Sequence, residues 1–222
     1  MTDQKTADTK TETAETSKKK QSKLSGYWMI GLAFLLFWVG GQFRAPMDLE
    51  HKMLIATAGI DARFDKSVIL ILKHNLGGAY GVIVNQPVSE GNEGFAHGGP
   101  VEPEKEFALY TYEIDLENGI MMGTTGLSYV EGPDNIAELE SLEKPPRWSR
   151  KYKGYAGWSA KQLDREVRKG GWRVIKYDEK LMQRTPQADI WDAANKLADK
   201  AAEKKKSKTS TEKKEKEPES KI

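Results

Sequence analysis

The sequence contains no cysteine, so disulfides and thiolate metal sites are excluded outright. The absence leaves the compartment open, since a thiol-free domain suits reducing and oxidising surroundings equally. Histidine is scarce too: there are three, His51, His74 and His97. Their spacing matches neither a His-Glu-x-x-His run nor an i, i+4 pair, so no joint metal site is expected. Neither Ser67 nor Ser159 stands in a Gly-x-Ser-x-Gly elbow, and no neighbouring base is assigned to either. No Gly-x-Gly-x-x-Gly closes a strand, no internal repeat is visible and no helix-turn-helix signature appears. On these grounds no catalytic set, metal or cofactor is assigned.

Spare positive charge is also missing where a nucleic-acid face would need it. The chain of 222 residues has a net charge of +2. Residues 1–26 carry six Lys against four acids, and residues 200–222 carry nine Lys against five Glu. The stretch between them holds 20 basic and 24 acidic residues, a balance of −4. A domain that neutralises phosphates shows a basic surplus, so nucleic acid is disfavoured as a partner.

What is present divides the chain into five parts. Residues 1–23 are almost wholly polar and cannot bury enough surface to offset chain entropy, so they read as a disordered tail. Residues 24–43 carry no charge. As a helix these 20 residues would span about 30 Å, the thickness of a hydrocarbon core. Tyr27 and Trp28 lie at one end, Trp38 and Phe43 near the other, where interfacial aromatics belong. An uncleaved anchor in contact with lipid is the favoured reading. Its rivals are a cleaved signal, which needs a long polar leader and a poor cleavage site at Gly40-Gly41, and an apolar core helix. Lys18, Lys19, Lys20 and Lys23 precede the span while Arg44 and Lys52 follow it. That bias places the N-terminus in the cytoplasm. A linker covers 44–50, a domain 51–200 and a second disordered tail 201–222, whose Lys/Glu pattern has no apolar stripe.

Within the domain, short apolar runs broken by Gly, Asn and Pro predict strands at 53–58, 67–72, 80–84, 107–112, 119–123 and 172–177. Val68-Ile69-Leu70-Ile71-Leu72 is apolar on both faces, as a covered central strand requires. Asn75-Leu76-Gly77-Gly78 predicts a turn. About three helices are expected: one over 135–142, one opened by Ser159 as a cap and closed by Gly170-Gly171, and one beginning near Pro186 with Ile190, Trp191, Ala194 and Leu197 on a face. Strands first, then helices with a late strand, is an α+β order.

Two loops stand out. His97-Gly98-Gly99-Pro100 permits positive φ or close approach to a ligand, against the plainer reading of a tight turn. Gly154-Tyr155-Ala156-Gly157-Trp158 interleaves aromatics with glycine, as a pocket lining or as a packed strand–loop–helix corner. With Asn85, the residues His97, Gly98, Gly99, Tyr155 and Trp158 are the candidate ligand- or partner-binding set. A hydrolase reading would require His97, Asn85 and Ser67 to converge in one pocket.

Several of these segments, in order, resemble the YqgE/AlgH family of bacterial proteins. The resemblance is carried by Lys52-Met53-Leu54-Ile55-Ala56-Thr57, Arg63-Phe64-Asp65-Lys66-Ser67-Val68-Ile69 and Gly78-Ala79-Tyr80-Gly81-Val82-Ile83-Val84-Asn85-Gln86-Pro87. It continues at Gly98-Gly99-Pro100-Val101, at Gly157-Trp158-Ser159-Ala160-Lys161-Gln162-Leu163 and at Trp172. It implies a mixed or antiparallel bifurcated sheet curled into a pseudo-barrel, without an established activity. Gln86 stands where the family pattern has Arg, so no role needing a guanidinium carries over to position 86. The resemblance implies a cytoplasmic protein, whereas the lysine bias and the anchor imply a single-pass protein of the bacterial inner membrane with its domain on the far side. The functional expectation is a membrane-anchored, non-catalytic binding, regulatory or assembly module with a protein partner.

Overall fold

A computed structural model describes residues 46–87 and 94–215, with side chains to Ser207. The proposed anchor at 24–43 and the tail at 1–23 lie outside the described residues. No helix among the described residues is long and apolar enough to cross a membrane.

Nine strands form one sheet: β1 (Lys52–Ala56), β2 (Val68–Asn75), β3 (Gly78–Ile83), β4 (Phe95–His97), β5 (Val101–Thr111), β6 (Ile120–Met121), β7 (Leu127–Glu131), β8 (Ser149–Ser159) and β9 (Trp172–Lys176). Their order is β6-β7-β5-β8-β3-β2-β1-β9. Every ladder on that path is antiparallel. The sheet forks at β8. One edge of β8 follows β5; its other edge pairs β4 in parallel over Lys151–Lys153 and then β3 over Ala156–Ser159. The sheet is therefore mixed, bifurcated and curled. No ladder among the described residues joins β6 to β9, so the curl is a half-barrel.

Four helices are described: α1 (Pro133–Glu140), α2 (Gln162–Arg168), α3 (Glu179–Gln183) and α4 (Ile190–Glu215). The α+β class holds, with one helix more than the three expected. The extra helix, α3, is a five-residue turn capped by Asp178, whose side chain accepts from Leu181 N–H. It is too short to show helical periodicity.

Period-2 alternation explains how the sheet is covered. Val68, Leu70 and Leu72 face the interior of the curl, where they meet Met53, Ile55, Phe107, Leu109 and the Ile190, Ala194 and Ala198 face of α4. Ile69 and Ile71 face outward, into a second core with Leu54, Trp158, Trp172 and Leu163 of α2. Ala108, Tyr110 and Val130 face a third core beneath Ile136 and Leu139 of α1. All five residues 68–72 are buried, as their two-sided apolar run requires.

Three strands, β4, β7 and β8, escaped the sequence reading, the last because its second half reads as a corner. Residues 154–159 are not a corner but the second half of β8, the hub of the sheet. Gly99 (φ +150°) and Gly154 (φ +70°) sit where the two backbones cross. A Cβ on Gly99 would lie 2.2 Å from Tyr155 C, and one on Gly154 would lie 2.3 Å from Gly99 O. Glycine here serves strand crossing, which period and propensity do not reveal. Ser159 ends this strand rather than capping α2; the cap position is Lys161, at φ 60°. The capping-box signal was half right, because Gln162 Oε1 accepts from Ser159 N–H at 3.1 Å. Residues 119–123 shrink to the two-residue β6. α4 runs through Glu215, past the boundary set at 201, since Lys and Glu sustain a helix that needs no buried face.

Candidate functional site

A cleft of about 460 Å³ opens on the outer face of the sheet, between the Thr57–Phe64 loop and α2. Its floor is aromatic. Phe64 stacks on Trp158 with centroids 6.4 Å apart and meets the edge of Trp172 at 5.7 Å. Trp158 and Trp172 meet edge to face at 5.8 Å. Each element has a local reason to be there. Asp61 caps the 3-10 turn Ala62–Phe64 by accepting from Arg63 N–H, which aims Phe64 at the sheet. Thr57 Oγ1 donates to the carbonyls of Gly170 and Gly171, tying this loop to the end of α2.

Glu166 lies at the centre of the wall. Its Oε2 accepts from Trp158 Nε1 and Trp172 Nε1, each at 2.9 Å, and its Oε1 accepts from Gln162 Nε2 at 2.9 Å. Two indoles and an amide thus hold one carboxylate in place and occupy both its oxygens. At the rim, the Arg63 guanidinium binds Asp61 at 2.8 Å and holds that exposed carboxyl down at about 2 through its hydrogen bonds. Lys169 completes a rim of mixed sign.

α2 is fixed from behind. Asp164 is buried, and its Oδ2 lies 3.0 Å from His74 Nε2. Its Oδ1 accepts from Met47 N–H at 2.6 Å, and Arg168 stands 3.6 Å away. Burial pushes the Asp164 carboxyl up, but the bonds from Met47 and His74 and the charge of Arg168 prevail, so it sits below the usual carboxylate range.

Of the six expected site residues, Trp158 alone lines this cleft. Gly98 and Gly99 abut it through Pro100 and Val101, which do line it, and their own part is the strand crossing. Tyr155 packs on the interior face instead. Asn85 spends its amide on the fold: Oδ1 accepts from Val68 N–H and Nδ2 donates to Lys66 O, both at 2.8 Å. His97 closes β4 opposite Lys153. Ser67 is fully buried with its hydroxyl unpartnered. His97, Asn85 and Ser67 therefore do not meet in the cleft. Among the described residues no group of three or more His, Asp or Glu could hold a metal ion. Sequence reasoning missed Phe64 and Glu166. The available signal was a carboxylate eight residues after one Trp and six before another.

Residues 53–202 match the DUF179 family, described as AlgH-like. The chain belongs to the AlgH-like family. A UPF0301 protein of Paracoccus denitrificans is 35% identical over 168 residues, covering 66% of this chain and 88% of its own. A UPF0301 protein of Haemophilus influenzae is 29% identical over 170 residues, covering 68% and 91%. The solution structure of the AlgH protein from Pseudomonas aeruginosa superposes with a TM-score of 0.57 at 24% identity, covering 69% of this chain and 91% of its own. At that identity the likeness shows the fold. In this AlgH-like domain the motif residues Thr57, Arg63, Phe64, Pro100, Val101, Gly157, Trp158 and Gln162 line the cleft, whereas those on β1, β2 and β3 belong to the sheet behind it.

Proposed function

We propose that the chain is a non-catalytic binding module, tethered to the bacterial inner membrane by residues 24–43, that seats an extended segment of a protein partner in the Trp158 cleft. One observation carries the reading. The cleft's central carboxylate, Glu166, is engaged at both oxygens by Trp158, Trp172 and Gln162, so it anchors an aromatic wall rather than serving as a free base. No histidine and no serine lines the cleft, and the one hydroxyl that does, on Thr57, is spent on the Gly170 and Gly171 carbonyls, which disfavours a hydrolase. Aromatic floor, glycine main chain at Gly157, Gly170 and Gly171, and a rim of Asp61, Arg63 and Lys169 suit a polypeptide with polar and apolar groups alternating. The hydrolase reading at His97 is disfavoured by the burial of Ser67 and the engaged amide of Asn85. The tether is supported by the uncharged run that ends two residues before Ala45.

Two measurements on the full chain in its membranes test this. Alkaline carbonate should leave the protein in the pellet; release to the supernatant would remove the tether. A photo-crosslinking residue placed at Gln162 should give one discrete polypeptide adduct, absent when it is placed at Glu138 on α1. Adducts of no defined mass at both positions would remove the partner seat.

A further inference from the structure

The interior side of β8 carries a second aromatic group, distinct from the cleft. β5 breaks register between Val101 and Glu106, which lifts residues 102–104 into solvent, with Glu102 at φ 43°. Lys105 then folds back over three rings. Its Nζ lies 5.1 Å from the Phe107 centroid, 5.5 Å from Tyr155 and 6.0 Å from Tyr80. Glu131 closes a further side, with its carboxylate 3.0 Å from the ammonium. The rings are held without help from the lysine. Tyr155 O–H donates to Glu102 Oε1 at 2.8 Å. Tyr80 O–H donates to Glu131 Oε1 at 3.0 Å and lies 3.0 Å from Tyr129 O–H. The rings also pack on one another, with centroids 5.9 to 6.5 Å apart. The box is thus framed by hydrogen bonds and ring contacts, and the lysine side chain, 35% exposed, can swing out at its mouth.

We propose that this box is a binding site for a methylated ammonium group, and that Lys105 occupies it as a tethered competitor. Ring faces carry the negative end of the aromatic quadrupole and attract a cation held over them. A lysine ammonium is a poor occupant for such walls, because it is strongly hydrated and its three N–H groups need acceptors. Rings supply none, and Glu131 is the carboxylate within ion-pair reach among the described residues. A trimethylammonium head has the same charge, little hydration and methyl groups that pack on rings. The Glu131 carboxylate balances either cation. The ligand trades places with Lys105 and forms no covalent bond. This site stands independently of the Trp158 cleft, since Tyr155 and Trp158 belong to different cores on opposite sides of β8.

The test is calorimetric titration of the full chain in detergent with choline and with dimethylbutanol, its neutral isostere, for the parent and for Lys105→Ala. Choline is expected to bind Lys105→Ala at least about tenfold more tightly than the parent, and at least about tenfold more tightly than the neutral isostere binds. Adding Tyr155→Ala should abolish that gain while thermal melts show a folded domain. Lys105→Gln serves if the alanine variant fails to fold. Equal affinity of parent and opened variant for choline, or equal affinity of choline and its isostere, would overturn the proposal. A trimethyllysine peptide and phosphatidylcholine vesicles, titrated into the opened variant, separate the sources. Tighter binding of the peptide than of choline marks a modified protein, tighter binding of vesicles marks a lipid headgroup, and neither marks a small solute.

Discussion

On one side of β8, Trp158 joins Phe64 and Trp172; on the other, Tyr155 joins Tyr80 and Phe107. The ring spacings are alike, 5.7 to 6.4 Å in the first group and 5.9 to 6.5 Å in the second. Their polar partners are opposite in sign. The first group turns indole N–H edges toward the carboxylate of Glu166, and the second turns ring faces toward the ammonium of Lys105. An aromatic ring is positive at its edge and negative on its face, so orientation alone decides which ion it serves. The clusters also differ in what fixes them. Glu166 is a half-buried anchor with both oxygens engaged, whereas Lys105 is a long flexible side chain at a solvent-exposed mouth.

That contrast rests on β8 being held at its fork, and the largest effect is expected from breaking the fork. Gly99→Val puts a β-branched side chain at φ +150° and into the Tyr155 backbone. A loss of about 3 kcal/mol or more, or no cooperative melt at all, is expected in thermal unfolding followed by circular dichroism. His97→Ala beside it, with no comparable backbone demand, should melt within about 0.5 kcal/mol of the parent. Equal melts for the two would mean that the crossing does not set the spacing of the clusters.

Next comes the support of the carboxylate-centred cluster alone. Asp164→Ala strips α2 of its bonds to His74 and Met47 and should cost about 3 kcal/mol near neutral pH. Because the folded carboxyl is held below its unfolded value, its contribution is complete above the usual carboxylate range and is lost as pH falls through the lowered value. The gap between parent and variant melts should therefore start to narrow below about pH 4 and close only once the pH has fallen past the lowered value. A gap independent of pH would show that the loss comes from packing rather than from the charge.

The two centres can then be compared directly. Glu166→Gln replaces a charged acceptor of two indole N–H groups by a neutral one, with an expected cost of about 1–2 kcal/mol and a shift in tryptophan emission. Lys105→Met keeps the stem and removes the charge. Since that ion pair and its ring contacts are partly open to water, the change should stay within about 1 kcal/mol by chemical denaturation. If Lys105→Met costs more than Glu166→Gln, the lysine is a structural plug and the contrast drawn above reverses. Smallest of all, deleting residues 204–222 removes side chains that are exposed where described and should move the melt by less than about 0.5 kcal/mol.

The sequence by itself determined the α+β class, the two-faced burial of residues 68–72, the Asn75–Gly78 turn and the family, through local patterns. Alternation of apolar residues, turn residues at fixed spacing and an ordered series of motifs are all properties of nearest neighbours along the chain. It also singled out the Gly98-Gly99-Pro100 segment, because two glycines before a proline signal an unusual backbone. Tertiary structure decided what that backbone is for. The clash a Cβ at Gly99 would suffer is with Tyr155, more than fifty residues away, so no local rule could show it. The same holds for Asn85, whose amide is spent on Val68 and Lys66, and for Ser67, whose hydroxyl is buried beyond reach. Glu166 acquired its place only when strands β8 and β9 brought Trp158 and Trp172 to one side of the sheet. Lys105 met its three rings only because β5 breaks register just before it, while Tyr80, Phe107 and Tyr155 arrive on three different strands. Alternation along a strand assigns each ring to a face, but which rings share that face depends on strand order, and strand order is set by the packing of the whole sheet.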